Sequence, residues 1–224
     1  MRQFDLFKQR VVDTARLLVE KGYLEGTGGN VSVRVEGQPA FAVTPSNYDY
    51  LKMLPDDVCV LDWQMNVLEG TLKPSIESGM HTAVYQVRAD VNAIVHSHQV
   101  YASTLALINA PIPALFDEQV RFLGRSVEIV PYAPSGTGFL KKNVQSKVRN
   151  GHNAYILKNH GALVLGADVE RAVHNLELLE KCALAYLLAL CTERKVSRIP
   201  LVIREIAFAK LGMDEKKYAK RNSS

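Results

Sequence analysis

Apolar residues recur at Phe4, Phe7, Val11, Val12, Ala15, Leu18 and Val19, three or four positions apart, and Gly22 follows them. That spacing turns one stripe of a helix toward a core and ends it on a glycine, so an amphipathic helix is expected over residues 4–22. The period then shortens to two. Apolar and polar positions alternate over residues 31–35, and residues 40–44 follow across Glu36-Gly37, which predicts a hairpin. Further short strands are expected over residues 58–62 and 67–69, then a helix over 75–88 opening at Pro74 or Ser75, then a strand over 91–98. Residues 101–108 read as helical, 127–130 as a strand, and 141–150 as a helix closed by Gly151. Strands at 154–157 and 162–165 flank the turn Lys158-Asn159-His160-Gly161. Asp168 is a suitable N-cap for a segment, apolar on most faces, that runs to about residue 192; a last helix begins near 202. No repeat, low-complexity tract or linker intervenes. The pattern predicts an α/β fold, a single domain over residues 1–224 with a mostly antiparallel central sheet flanked by helices, and residues 210–224 as a charged C-terminal tail.

Composition narrows the class. With 224 residues, 47% of them apolar and 22% charged, the chain is neither disordered nor fibrous. Its longest near-apolar run, residues 182–191, is about half of a bilayer span, and the first residues hold no apolar signal region, so no membrane partner is expected. Three cysteines cannot all pair, and Cys182 and Cys191 sit in a strongly apolar stretch where buried free thiols are common; a cytoplasmic location is the simplest expectation. The formal charge of +4 suggests nucleic acid only until it is located. From Lys210 onward five basic residues face two acidic ones, so three of the four net charges lie there and the rest of the chain is nearly neutral. No nucleic-acid face is expected.

Candidate chemistry centres on three of the six histidines. His96 and His98 are two apart in an expected strand and so present their rings on one face, as a metal site requires. His160, in the turn after an apolar strand, is the best-placed third ligand. His81, His152 and His174 have no such partner and are assigned to structure, as is the turn Pro134-Ser135-Gly136-Thr137-Gly138. Glu77 falls in the expected first turn of a helix, where the dipole favours a carboxylate; beside three imidazoles it becomes a ligand, a base, or each in turn. Gly26-Thr27-Gly28-Gly29-Asn30 offers successive main-chain amides and neutral side chains as an anion cradle, and Ser75 offers a hydroxyl nearby. No Walker lysine or dinucleotide fingerprint accompanies them, so nucleotide binding is not expected.

Four motifs, Gly26-Thr27-Gly28-Gly29-Asn30-Val31-Ser32, Pro74-Ser75-Ile76-Glu77, His96-Ser97-His98 and Asn159-His160-Gly161, resemble in order and spacing those of the class II aldolase/adducin family. The likeness runs from the first helix to about residue 192. It implies that His96, His98 and His160 ligate a Zn2+ ion, or another divalent metal, with Glu77 as acid/base and resting ligand. It implies phosphate binding by Thr27, Gly28, Asn30, Ser46, Asn47 and Ser75. Three departures stand out: Ser46-Asn47 replaces Thr-Gly, Ile76 replaces a serine, and Asp117 stands where the family's aldolases have a tyrosine. Asp117 or Glu118 is then the second acid/base, or the pair caps a helix. Tyr218 reads as an ordinary surface tyrosine.

The resemblance implies a zinc-dependent aldolase that cleaves a ketose 1-phosphate, such as L-fuculose 1-phosphate or a deoxypentulose 1-phosphate, through a metal-stabilised enediolate. Dihydroxyacetone phosphate and an aldehyde are the implied products, and a homotetramer with sites between subunits the implied assembly. Pentulose-5-phosphate 4-epimerases share the scaffold but resemble Ser-Ser-Asp where this chain has Ser75-Ile76-Glu77. Sugar-phosphate dehydratases and decarboxylases use the same histidines and remain open, whereas a non-enzymatic adducin-like protein would not be expected to retain the full set.

Overall fold

The computed structural model describes the backbone of residues 3–221 and the side chains of residues 3–215. The first helix, α1 (Asp5–Glu20), buries Val11, Val12, Ala15 and Leu18 and ends as its sequence predicts. Gly22 adopts φ 73°, and Tyr23 N–H closes back on Leu18 O at 2.8 Å.

Eight strands follow: β1 (Asn30–Arg34), β2 (Ala40–Val43), β3 (Cys59–Asp62), β4 (Val67–Glu69), β5 (Ala93–Ser97), β6 (Glu128–Val130), β7 (Ala154–Leu157) and β8 (Gly161–Gly166). They form one sheet in the order β4-β3-β2-β1-β5-β8-β7-β6, antiparallel throughout except for the β6–β7 edge pair. Between them run α2 (Ser78–Tyr85), α3 (Val100–Leu107), α4 (Asp117–Phe122) and α5 (Gly138–Lys147), and after them α6 (Val169–Leu190) and α7 (Leu201–Arg221). α7 takes in most of the charged segment that begins at Lys210; the side chain of Tyr218 lies outside the described residues.

Helices cover both faces of the sheet. Val31, Val33, Val95, Ile156 and Val164 face a core built with α1, α3 and α6. Phe41, Leu61, Ile94, Tyr155 and Leu163, which alternate with them, face a second core built with α2 and α5. Strands β2, β7 and β8 therefore read as nearly unbroken apolar runs, because neither face meets water. Polar residues on the α2 side, among them Ser32 and His96, are buried for the same reason. One buried cation closes the far end of α2. The Arg88 guanidinium donates to Val148 O, His152 O, the Asp90 carboxylate and Asn153 Oδ1, so every face of it is answered.

Several boundaries differ from the sequence pattern, each for a local reason. α2 starts at Ser78, three residues late, because Pro74 bridges Pro45 and Ser75 N–H donates to Thr44 O, which keeps residues 74–75 extended beside the sheet. Glu77 is consequently the N-cap residue and not a first-turn residue. α5 starts three residues early because the Thr137 hydroxyl accepts from Leu140 N–H. Cys182 is buried as expected, but Cys191 is exposed because α6 ends just before it; all three cysteines are free. Among the described residues no helix is long and apolar enough to cross a membrane.

Candidate metal centre and cleft

Two neighbouring strands of the sheet bring the three histidines together. His96 is the fourth residue of β5 and His98 lies one residue beyond the strand, so both rings project toward the α2 side. β8 pairs with β5, Ser97 facing Ala162, and the β7–β8 turn delivers His160 to the end of β5. Asn159 makes that turn by adopting φ 53°, a conformation asparagine tolerates better than most residues. Gly161 allows the close approach: a Cβ there would strike Ser97 O and come within 2.8 Å of the His98 ring. Gly161→Ala is expected to cost about 1–3 kcal/mol and to lower metal content along with stability, because the group it displaces belongs to the candidate metal cluster. Thermal melting and metal content of one preparation check both effects.

The ring centroids of His96, His98 and His160 lie 4.7–5.2 Å apart. His98 Nε2 stands 3.0 Å from His96 Nε2. Glu77, 7% exposed, reaches in from the start of α2, with Oε2 at 3.1 Å from His96 Nε2 and Oε1 at 3.2 Å from His160 Nε2. Burial opposes ionisation of this carboxyl, but His160 and His96 outweigh it and hold the group below the usual carboxylate range. Desolvation of the His98 ring, with the nearby rings of His96 and His160, lowers it to about 4, so it is neutral at ordinary pH.

These residues fit a divalent cation. His96 Nδ1 donates to Ala162 O at 2.8 Å, which fixes the tautomer and leaves the Nε2 lone pair directed at its neighbours. The Oε1 atom of Glu77 is buried and accepts no hydrogen bond. Converging lone pairs plus an unanswered buried carboxylate oxygen are costly alone and favourable around a positive ion. The donor atoms of the three histidines all lie within 4.8 Å of one another.

Beside this centre opens a cleft of about 260 Å³. Thr27, Gly28, Asn30, Ser46, Asn47 and Ser75 all line it together with Glu77, His98 and His160, so the cradle and the ligand set share one space. Gly29 meets the back of β5, where a Cβ would lie 2.5 Å from His96 O. The Ser46-Asn47 departure has a conformational reason. Asn47 holds φ 54°, the left-handed region glycine favours, and asparagine is among the few residues that accept it. Asn30 is 2% exposed and its amide donates to Glu77 Oε2 at 2.9 Å, so it links the cradle to the carboxylate. His96 lies fully buried beneath the cleft.

Two expected residues are not brought in. Asp117 and Glu118 form the exposed first turn of α4, and Glu118 lies 3.5 Å from Lys181; neither lines the cleft of its own chain. Two lining residues have no recognisable signal in the sequence. Tyr50 donates to Gly29 O at 2.7 Å, and Ser135, in a turn read as purely structural, places Oγ 3.4 Å from His160 Nε2. Only the proline–glycine turn that carries Ser135 was visible in the pattern.

Comparison with known proteins agrees with this geometry. Residues 9–187 match the family described as the Class II Aldolase and Adducin N-terminal domain. The chain is 33% identical over 182 residues to a 5-deoxy-D-ribulose 1-phosphate aldolase of Bacillus thuringiensis serovar kurstaki, covering 80% of this chain and 83% of that protein. It is 34% identical over 182 residues to an L-fuculose phosphate aldolase of Escherichia coli, with the same two coverages. A solved L-fuculose 1-phosphate aldolase superposes with a TM-score of 0.85 at 33% identity, covering 92% of this chain and 96% of that one. By sequence, by fold and by its converging histidines, the chain belongs to the class II aldolase and adducin family and is one of its enzymes.

Proposed function

We propose that the protein is a zinc-dependent aldolase that cleaves a ketose 1-phosphate between C3 and C4, giving dihydroxyacetone phosphate and an aldehyde. The observation that carries this reading is the Glu77 carboxylate held between His96 and His160 at the mouth of a cleft lined by neutral anion-binding groups. His96, His98 and His160 would hold the ion, which when bound supplies a Lewis acid for the negative charge that develops beside the breaking bond. Three neutral imidazoles leave the ion its full charge, which thiolates would reduce.

The residues of the chain do the rest. Main-chain amides at Gly28, with Thr27, Asn30, Ser46, Asn47 and Ser75, bind the phosphate and so fix where C2 and C3 lie relative to Glu77. As the C3–C4 bond breaks, its electron pair moves toward the C2 carbonyl, and Glu77, which first takes up a proton from solvent, passes it to C3 and returns to the ionised form. In the reverse direction the same carboxylate removes that proton. The C4 hydroxyl loses its proton to a second base, for which we propose Asp117 or Glu118 of a neighbouring copy. Exposed apolar side chains on α3, α6 and α7, among them Val100, Leu107, Leu188, Val202, Ile206 and Met213, support a homo-oligomer, with a tetramer as the proposed state.

The names of two relatives support L-fuculose 1-phosphate or 5-deoxy-D-ribulose 1-phosphate as the substrate class. Assay of these ketose 1-phosphates and of pentulose 5-phosphates is expected to give dihydroxyacetone phosphate from the former alone. Rearrangement of a pentulose 5-phosphate without that product would favour the epimerase reading, and loss of water or carbon dioxide the dehydratase or decarboxylase reading.

A further inference from the structure

The helix that carries Glu77 is short. α2 has eight residues, and no side chain caps its start. A two-turn helix is far below the length that persists alone in water, and its first turn, where Ser78 and Met80 N–H reach only the carbonyls of Ser75 and Glu77 three residues back, is the part that frays. The proposed proton-transfer group therefore stands on the least secure residue of its element unless tertiary contacts hold it.

Those contacts are polar where a core-facing helix side is ordinarily apolar. His81 and Tyr85 follow Glu77 at steps of four and share its face. Asn30 and Ser32, two apart on β1, face them. Asn30 donates to Glu77. Ser32 Oγ lies 2.6 Å from His81 Nδ1 and 2.8 Å from Tyr85 OH. Ser32 and His81 are fully buried and Tyr85 is 3% exposed, so these are dry hydrogen bonds. Burial, aided by His96, pushes the His81 imidazole down to about 3, which keeps the ring neutral beside the cation site. A chain of this kind is directional: its two hydrogen bonds form in one register of α2 on β1, whereas apolar packing tolerates sliding, and His81 Nε2, buried without a partner, offers no second arrangement. None of the three side chains lines the cleft.

We propose that Ser32, His81 and Tyr85 are positioning residues, a hydroxyl–imidazole–phenol chain that fixes the rotation and height of α2 against β1 and thereby the seat of the Glu77 carboxylate. The inference rests on the reading of Glu77 as the proton-transfer group.

The full chain carrying Ser32→Ala, Ser32→Thr or Tyr85→Phe tests it with two readouts. One is the exchange of dihydroxyacetone phosphate hydrogen with deuterium from solvent, followed by proton NMR on the zinc-loaded protein. The other is the visible absorption of the cobalt(II)-loaded protein, which reports the ligand field and needs no turnover. Ser32→Ala is expected to lower kcat for exchange about ten- to a hundredfold, the scale for small misplacement of a reacting group. KM should stay within about twofold of wild type, because the phosphate cradle is untouched, and the cobalt spectrum should change. Ser32→Thr keeps the hydroxyl and should recover most of the rate. A lower melting temperature with wild-type kcat and an unaltered cobalt spectrum would overturn the proposal. Should Ser32→Ala fail to fold, Tyr85→Phe, which removes one oxygen atom, is judged by the same two criteria. Absence of exchange in the wild-type protein would refute the aldolase reading itself; the cobalt spectra then decide the positioning claim alone.

Discussion

Glu77→Gln is expected to slow hydrogen exchange into dihydroxyacetone phosphate by about 10²–10⁴-fold, the range for removing a positioned acid–base group, while one metal ion per chain stays bound. The substitution preserves shape and an oxygen acceptor for Asn30, and removes only the charge and the capacity to take up and pass on a proton. Metal retention follows because three imidazoles remain. The pH dependence has a definite sign. Glu77 is held below the usual carboxylate range despite its burial, so its basic form persists through neutrality and is lost only as pH falls through that lowered value. Elemental analysis together with NMR exchange checks both halves. A variant with wild-type exchange would move proton transfer to another group.

His160→Ala is expected to empty the site and reduce turnover about a thousandfold or more, since several kcal/mol of charge stabilisation leave with the ion and each 1.4 kcal/mol is tenfold. His160 is the proposed ligand to remove because it sits on the β7–β8 turn, partly exposed, whereas His96 lies inside the sheet. The fold should survive. Chelation of the wild-type protein should reproduce the loss and added zinc reverse it; the variant should not respond to zinc. His98 stays neutral until pH falls to about 4, so protonation of that ring does not limit metal binding above it.

Local sequence carried much of this architecture. The α1 stripe and its glycine stop, the two-apart histidines and the amide-rich loop all lie where periodicity and turn chemistry put them. What was not legible depends on contacts distant in sequence. Period two says that residues 31–35 form a strand, but not that β1 joins β5 some sixty residues later, the pairing that sets Asn30 beside His96. The start of α2 was misplaced because Thr44 and Pro45 keep residues 74–75 extended from across the sheet. Ser135 reached the cleft unannounced, since a turn reads the same whatever it faces. His81 reads as structural from the sequence, and a histidine on a helix carries no signature of the buried serine it bonds.

The cleft contains no lysine or arginine among the described residues that line it. The grip on a phosphate proposed for the groups that line it would be short-ranged, made of hydrogen bonds that act only on contact and that ionic strength screens little. With these side chains, a long-range pull on anions would come from the divalent ion proposed beside the cleft and not from lysine or arginine. Among the anions drawn to that ion, selection would fall to shape and to the match between neutral donors and oxygens.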